Sequence, residues 1–376
     1  MPRARATVAA AETDLDDPDS YAPLDAKGMV GYALGFPAQV AHAAQIGAAF
    51  VRRTRLRRPR HIVLAGMGGS AVAGDFLARL CAGRSAVPFL VCRDYEIPAF
   101  VGPETLFIAS SHSGDTEETL AAASEALRRR ARIVCITTGG KLRRFARRHR
   151  GAGASLLQTP RTEPPMPPRA ALGYSLIPLV YVLASVGAYP GAGEEVEESI
   201  SVLERRRALL RPASPTRRNR AKRLAKDLCG KVPWVQGTAG IMSAAAYRWR
   251  CQFNENSKML AYSSEYPELN HNEVVGWERA DELSGRVRVI VLRSPADHWR
   301  NRARVRITKR ELIGPKAPVD VVEAKGESAL AQLMSVVYLG DFASLYLAFL
   351  NRVDPASVDS INKLKDALKR ERKPRE

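Results

Sequence analysis

An apolar run, Thr105-Leu-Phe-Ile-Ala-Ser110, passes without a break into Ser111-His-Ser-Gly-Asp-Thr116 and then into a helical pattern from Glu117 to Arg130. This order of buried strand, polar turn and helix constrains the chain more than any other feature. A strand with no polar alternation must be covered on both faces, the condition of a parallel sheet sandwiched by helices. Three hydroxyls (Ser111, Ser113, Thr116) and a glycine crowd the turn, more than a single N-cap requires. A helix start offers unpaired N–H groups and the positive end of its dipole, so hydroxyls gathered there make a seat for phosphate.

The pattern recurs along the chain. A strand over 61–65 enters Gly66-Met-Gly-Gly-Ser70 and a helix over 71–81, and further strands are predicted over 87–92, 132–137 and 154–158. Five prolines between Pro160 and Pro168 enforce an extended loop, which leads to Arg169 and a buried helix over 172–189. A second alternation follows. Helices are predicted over 194–210 and 218–229, then a strand over 232–236 ending at Gly237-Thr-Ala-Gly240 and a helix over 241–253. Strands over 287–292 and 319–322, a long helix over 326–350 and a terminal helix over 357–370 complete it. The reading is an α/β chain of two doubly wound parallel-sheet domains, 26–190 and 191–376. Residues 26–53 read as a helical lead-in and 1–25 as a flexible extension.

With 376 residues, 45% of them hydrophobic, the chain can fill two cores. The best membrane candidate, 172–189, is interrupted by Gly173, Ser175 and Pro178, and the N-terminus carries no apolar signal core. A cytoplasmic protein with no membrane partner is expected. Five cysteines without C-x-x-C and six histidines without H-E-x-x-H argue against a metal centre or a disulfide framework. The net charge of +19 raises nucleic-acid binding, but the basic runs (52–60, 128–132, 143–150, 205–223, 363–375) are dispersed in sequence. The reading is a solvated basic surface that draws anionic substrates, with no nucleic-acid partner.

Chemistry-bearing residues cluster in the second half. Glu255 lies among amides in Gln252-Phe-Asn-Glu-Asn-Ser-Lys258, a setting that suits a general base; the bland alternative is a surface ion pair with Lys258. His271, in Leu269-Asn-His-Asn-Glu-Val274, can shuttle a proton near neutral pH or serve as a structural hydrogen-bonder. Gly66 to Ala71 also satisfies a relaxed G-x-G-x-x-A dinucleotide pattern, with Asp94 available for a ribose, so a nicotinamide enzyme is a rival.

Together, Gly66-Met-Gly-Gly-Ser70, Ser111 to Thr116, Pro168-Arg169, Asn254-Glu255-Asn256-Ser257-Lys258 and Asn270-His271-Asn272-Glu273 resemble the bifunctional phosphoglucose/phosphomannose isomerase family, built from two sugar isomerase (SIS) domains. The resemblance runs from about residue 26 to the terminal helix. It implies aldose–ketose isomerisation of glucose 6-phosphate and mannose 6-phosphate with fructose 6-phosphate, without metal or cofactor, in a homodimer. By the same resemblance, Gly68, Gly69 and Ser70 line the sugar pocket and Ser111, Ser113 and Thr116 hold the phosphate. Arg169 stabilises the enediolate and Glu255 moves the proton between C1 and C2. His271, given by the partner subunit, assists ring opening, and Lys365 on the terminal helix (Lys363 is chemically equivalent) helps at the ring oxygen. The alternative is a non-catalytic SIS-type sensor, which would keep Ser111 to Thr116 and have no use for Glu255 or His271.

Overall fold

The computed structural model describes residues 13–283 and 285–371. Its N-terminal stretch corrects the sequence expectation: of the extension read as flexible, residues 13–25 are packed down. Leu15 is fully buried, Tyr21 stacks on Phe349 with ring centroids 4.5 Å apart, and Asp16 Oδ1 accepts from Lys222 Nζ at 3.1 Å. The reason is electrostatic: Lys222 is wholly buried, and a buried ammonium requires a counter-charge. Residues 1–12 lie outside the described part.

The predicted lead-in helix is two, α1 (Met29–Leu34) and α2 (Phe36–Arg53), broken at Gly35 ahead of Pro37. Asp25 accepts from the Met29 and Val30 N–H groups and closes the start of α1. The chain continues through β1 (His61–Gly66), α3 (Gly68–Cys81), β2 (Phe89–Cys92), β3 (Thr105–Ser110), α4 (Glu117–Arg128), β4 (Arg132–Thr137), α5 (Gly140–Arg148) and β5 (Ala154–Gln158). These five strands form one parallel sheet, order β2-β1-β3-β4-β5. Ile62, Leu64, Leu106 and Ile108 face one core with α2, α3 and α6 (Leu172–Ser185); Val63, Phe107 and Ala109 face the other with α4 and α5. Both faces are covered, as an unalternating apolar run requires.

After α6 come α7 (Ala192–Leu210), α8 (Arg220–Leu228), β6 (Val232–Thr238), α9 (Ile241–Glu255), β7 (Tyr262–Tyr266), α10 (Glu273–Gly276), β8 (Val287–Arg293), α11 (Trp299–Ile307), β9 (Val319–Glu323), α12 (Ala329–Leu350) and α13 (Asp359–Leu368). The second sheet, also parallel, has the order β7-β6-β8-β9. Sequence reading missed β7 because Tyr-Ser-Ser-Glu-Tyr is a polar edge strand, and missed α5 and α11 because each carries four arginines, which break up its apolar pattern.

The long α12 has the length and apolarity of a membrane span, yet 89% of its apolar window is buried inside the protein, against α7, α8 and α9. One continuous apolar cluster runs from Ile62 and Leu64 through α2, α6 and α7 to α12, so the halves share a core.

Candidate functional site

The first sheet reverses direction between β1 and β3: the chain steps outward to β2 on one side, and to β4 and β5 on the other. At such a switch point the loops leaving neighbouring strands diverge to opposite faces and open a crevice at the carboxyl edge. Gly66 and Ser110 are register partners at that edge, so the 66–70 and 111–116 turns emerge side by side. Neither helix that follows has a side-chain cap. Met67 caps α3 without one, and Thr116, at the N-cap of α4, commits its hydroxyl to Ser111 Oγ at 2.8 Å. The first-turn N–H groups of α4 therefore remain available to an anion. Ser111 Oγ also accepts from Gly114 N (3.0 Å), and Ser113 is exposed at the rim. Gly114 sits at φ +77°, where a Cβ would lie 2.0 Å from the Gly139 carbonyl oxygen, so the loop requires glycine there.

Contacts lead from this turn to the proline loop and onward. His112 Nε2 lies 3.1 Å from the Met166 carbonyl oxygen, and burial holds the His112 pKa below its ordinary value. A Cβ on Gly69 would stand 3.2 Å from the Pro168 carbonyl oxygen, so the glycine turn lies against the residue before Arg169. Ser70, next in the turn, is buried.

Arg169, 5% exposed, crosses between the halves. Its Nε donates to Asn256 Oδ1 (2.7 Å), Nη1 to Glu255 Oε2 (3.3 Å), and Nη2 to the Pro355 and Ala356 carbonyls (2.5 and 3.0 Å). Burial lowers its pKa, opposed by the Glu255 and Asp354 charges; the group stays a cation. Glu255, at the last turn of α9, keeps a side chain 31% exposed. The surface-pair reading of Glu255 is corrected here: Lys258 Nζ donates to the Glu255 carbonyl (2.6 Å) and the Asp354 carbonyl (2.8 Å), and the carboxylate pairs with Arg169.

Behind Arg169 lies a polar network that no local sequence pattern assembles. Arg248 donates to the Arg169 carbonyl (3.1 Å) and to Asp341, which also accepts from Gln252 Nε2 at 2.7 Å. Asn256 Nδ2 donates to Ser344 Oγ (2.9 Å). The one available signal was Gly340-Asp341, a glycine and a charge inside an otherwise apolar run.

Two expected residues are not brought to Glu255 within the chain. His271 is exposed near the outer edge formed by β7, and Lys365 lies on the exposed α13. The second sheet has its own switch point, β6/β8, with a crevice of about 500 Å³. There Asp297 spends its oxygens on Thr238 Oγ1 and Ser294 N, both at 2.9 Å, and Ser328 caps α12, while α9, which follows β6, starts at Gly240 without a side-chain cap.

Comparison with known proteins accords with this layout. Residues 217–368 match the family described as bacterial phospho-glucose isomerase C-terminal SIS domain, and 55–149 match the SIS domain. The chain is 40% identical over 332 residues to a bifunctional phosphoglucose/phosphomannose isomerase of Caldicellulosiruptor bescii, covering 88% of this chain and 96% of that protein. It is 34% identical to one of Thermoplasma acidophilum, covering 82% and 89%. Among solved structures, it is similar to a glucose-6-phosphate isomerase-like protein of Thermus thermophilus (TM-score 0.60, 20% identity, 94% of this chain and 99% of that one). It is also similar to tagatose-6-phosphate ketose/aldose isomerase of Escherichia coli (TM-score 0.63, 16% identity, 89% and 96%).

Proposed function

Because the chain belongs to the bifunctional phosphoglucose/phosphomannose isomerase family, and so to the sugar-phosphate isomerases, we propose that it interconverts glucose 6-phosphate and mannose 6-phosphate with fructose 6-phosphate through an enediol. The observation that carries this reading is the meeting of Arg169 and Glu255 across the two halves, one residue beyond the contact between Pro168 and the Gly69 turn.

Isomerisation needs one base to take a proton from one carbon and return it to its neighbour, with a positive group to hold the oxyanion formed between. Glu255 is partly exposed and able to reach a substrate. Four of the five N–H donors of Arg169 are spent on the protein, and the fifth, on Nη1, is left beside the Glu255 carboxylate. A guanidinium so fixed costs no reorganisation when charge develops. The start of α4, with Ser111, Ser113 and Thr116, takes the phosphate, and Gly68, Gly69 and Ser70 border the sugar. Binding energy at the phosphate, remote from the reacting carbons, is then available for orienting C1 and C2.

Ring opening requires an acid near the hemiacetal oxygen. In this reading His271 comes from a second copy of the chain; Leu260, Tyr262 and Val275, exposed near the same sheet edge, supply apolar surface for that contact. Lys365 assists at the ring oxygen: α13 begins three residues after Ala356, whose carbonyl holds Arg169. Residues 26–190 thus act as the phosphate-holding half and 191–376 as the half that works on the carbons, in the cytoplasm.

Glu255→Gln should lower kcat by about a hundred- to ten-thousand-fold while calorimetry still detects fructose 6-phosphate binding. Undiminished turnover would remove Glu255 as the base. Substrate binding by the unaltered protein without turnover would favour the sensor. Co-expressed Glu255→Gln and His271→Ala chains should regain activity through mixed dimers; no gain would refute donation of His271 across the interface.

A further inference from the structure

The basic runs are dispersed in sequence, but the fold gathers three of them. In a parallel sheet flanked by helices, every helix returns to the amino edge before the next strand begins. The starts of β1, β3, β4 and β5 are aligned by register: His61 with Thr105, Leu106 with Arg132, Ile133 with Ala154. The segments 52–60, 128–132 and 143–150 lead into β1, β4 and β5, and carry six, four and five arginines with no carboxylate among them. They therefore converge on one end of the first sheet. The Arg132 side chain reaches the Arg57 carbonyl at 3.2 Å, which joins two of the runs directly. The catalytic crevice lies at the opposite edge, a strand length of roughly 20 Å away.

The charge on this end is uncompensated. Its own carboxylates, Glu104 and Glu125, are engaged by Arg60, Arg128 and Arg129, and on the β2 flank Arg84 holds Glu195. Arg55, Arg57, Arg58, Arg144, Arg147 and Arg148 are exposed with no acidic partner among the described residues. One cation per helix C-terminus offsets the dipoles of α2, α4 and α5; fifteen arginines far exceed that, and like charges so grouped create a potential of several kT. Phe100, 48% exposed, stands on the same edge with its ring 4.9 Å from that of His61.

We propose that this edge binds single-stranded nucleic acid. Arginine in preference to lysine fits phosphate, since the guanidinium fork engages its oxygens in pairs. An exposed ring within the basic field offers a base a stacking surface. The site is independent of the isomerase reading, because it uses neither the crevice nor its residues.

The test is fluorescence anisotropy of a labelled mixed-sequence single-stranded RNA against the whole protein over a salt series. Binding should weaken steeply with salt. The combined variant Arg144→Glu, Arg147→Glu, Arg148→Glu should lose at least about tenfold in affinity, and its log–log salt slope should flatten by about 2, from three lost phosphate contacts. Phe100→Ala should cost about tenfold with the slope unchanged. Both variants should keep full isomerase activity, which also reports that they are folded. Equal loss of affinity in Arg302→Glu, Arg304→Glu, Arg306→Glu, the same charge change on α11, would overturn the proposal, since net charge alone would then explain binding. So would absence of RNA binding at low salt, or binding confined to vesicles of anionic lipid.

Discussion

Replacing Asp341 with alanine tests how the site is held. Asp341 accepts from Arg248 Nη2 at 2.9 and 3.0 Å and from Gln252 at 2.7 Å, and the Arg248 side chain is 3% exposed. The variant leaves that guanidinium buried without its counter-charge, which costs about 3–5 kcal/mol. With an unfolding entropy of about 2.1 cal/mol/K per residue over 376 residues, close to 0.8 kcal/mol/K, the expected fall in Tm is about 4–6 °C. Scanning calorimetry measures it. The double variant Arg248→Met, Asp341→Leu removes both charges and should recover most of the stability, since apolar replacement of a buried pair is often neutral. It should not recover kcat, because Arg248 also holds the Arg169 carbonyl at 3.1 Å. A fall of less than about 1 °C in the single variant, or a double variant with full kcat, would refute the reasoning.

Ser111→Ala removes the hydroxyl that accepts from Gly114 N and pairs with Thr116, and steady-state kinetics should show KM raised about tenfold with a smaller change in kcat. Burial pushes the Asp320 carboxyl up, but hydrogen bonds and charge from Arg288 and Arg220 outweigh it and hold the pKa below the ordinary value. A depressed carboxylate stabilises the fold above its unfolded pKa and loses that contribution as pH falls through its folded pKa, so the Tm gap between the unaltered protein and Asp320→Asn should be widest near neutrality and narrow as pH falls below the ordinary aspartate value of about 3.9. Isomerisation should persist in excess chelator, since Arg169 and the helix start supply the positive charge; strong loss on chelation, restored by a divalent cation, would reject this mechanism.

What the sequence disclosed follows physical locality. Strands buried on both faces announce themselves, so β3 and β4 were predicted at their observed bounds, and the edge strand β5, set between Gly153 and Pro160, was bounded by its turns. The Ser111–Thr116 turn and the Gly66–Ser70 turn were legible because a strand, a glycine and hydroxyls are adjacent in the chain. The Arg169–Glu255 contact spans 86 residues and no local pattern encodes it; a family resemblance implied a role for each residue but not their pairing. Arg248 and Asp341 were not reached at all, since each reads alone as an ordinary helix charge. The meeting of three arginine runs at one end of the first sheet was not legible for the same reason: separation along a chain says nothing of separation at a sheet edge.

The docked segment before α1 bears on how such a chain can be divided. Leu15, Asp16 and Tyr21 belong by order to the first half, yet they rest on α8 and α12 of the second, and Tyr338 of α12 donates to the Ala33 carbonyl at 2.9 Å. The molecule is thus buckled, its opening residues fastened across the far partner. A gene split near codon 190 would yield two fragments each missing packing that the other owns, so inheritance as a single reading frame is favoured by the architecture itself.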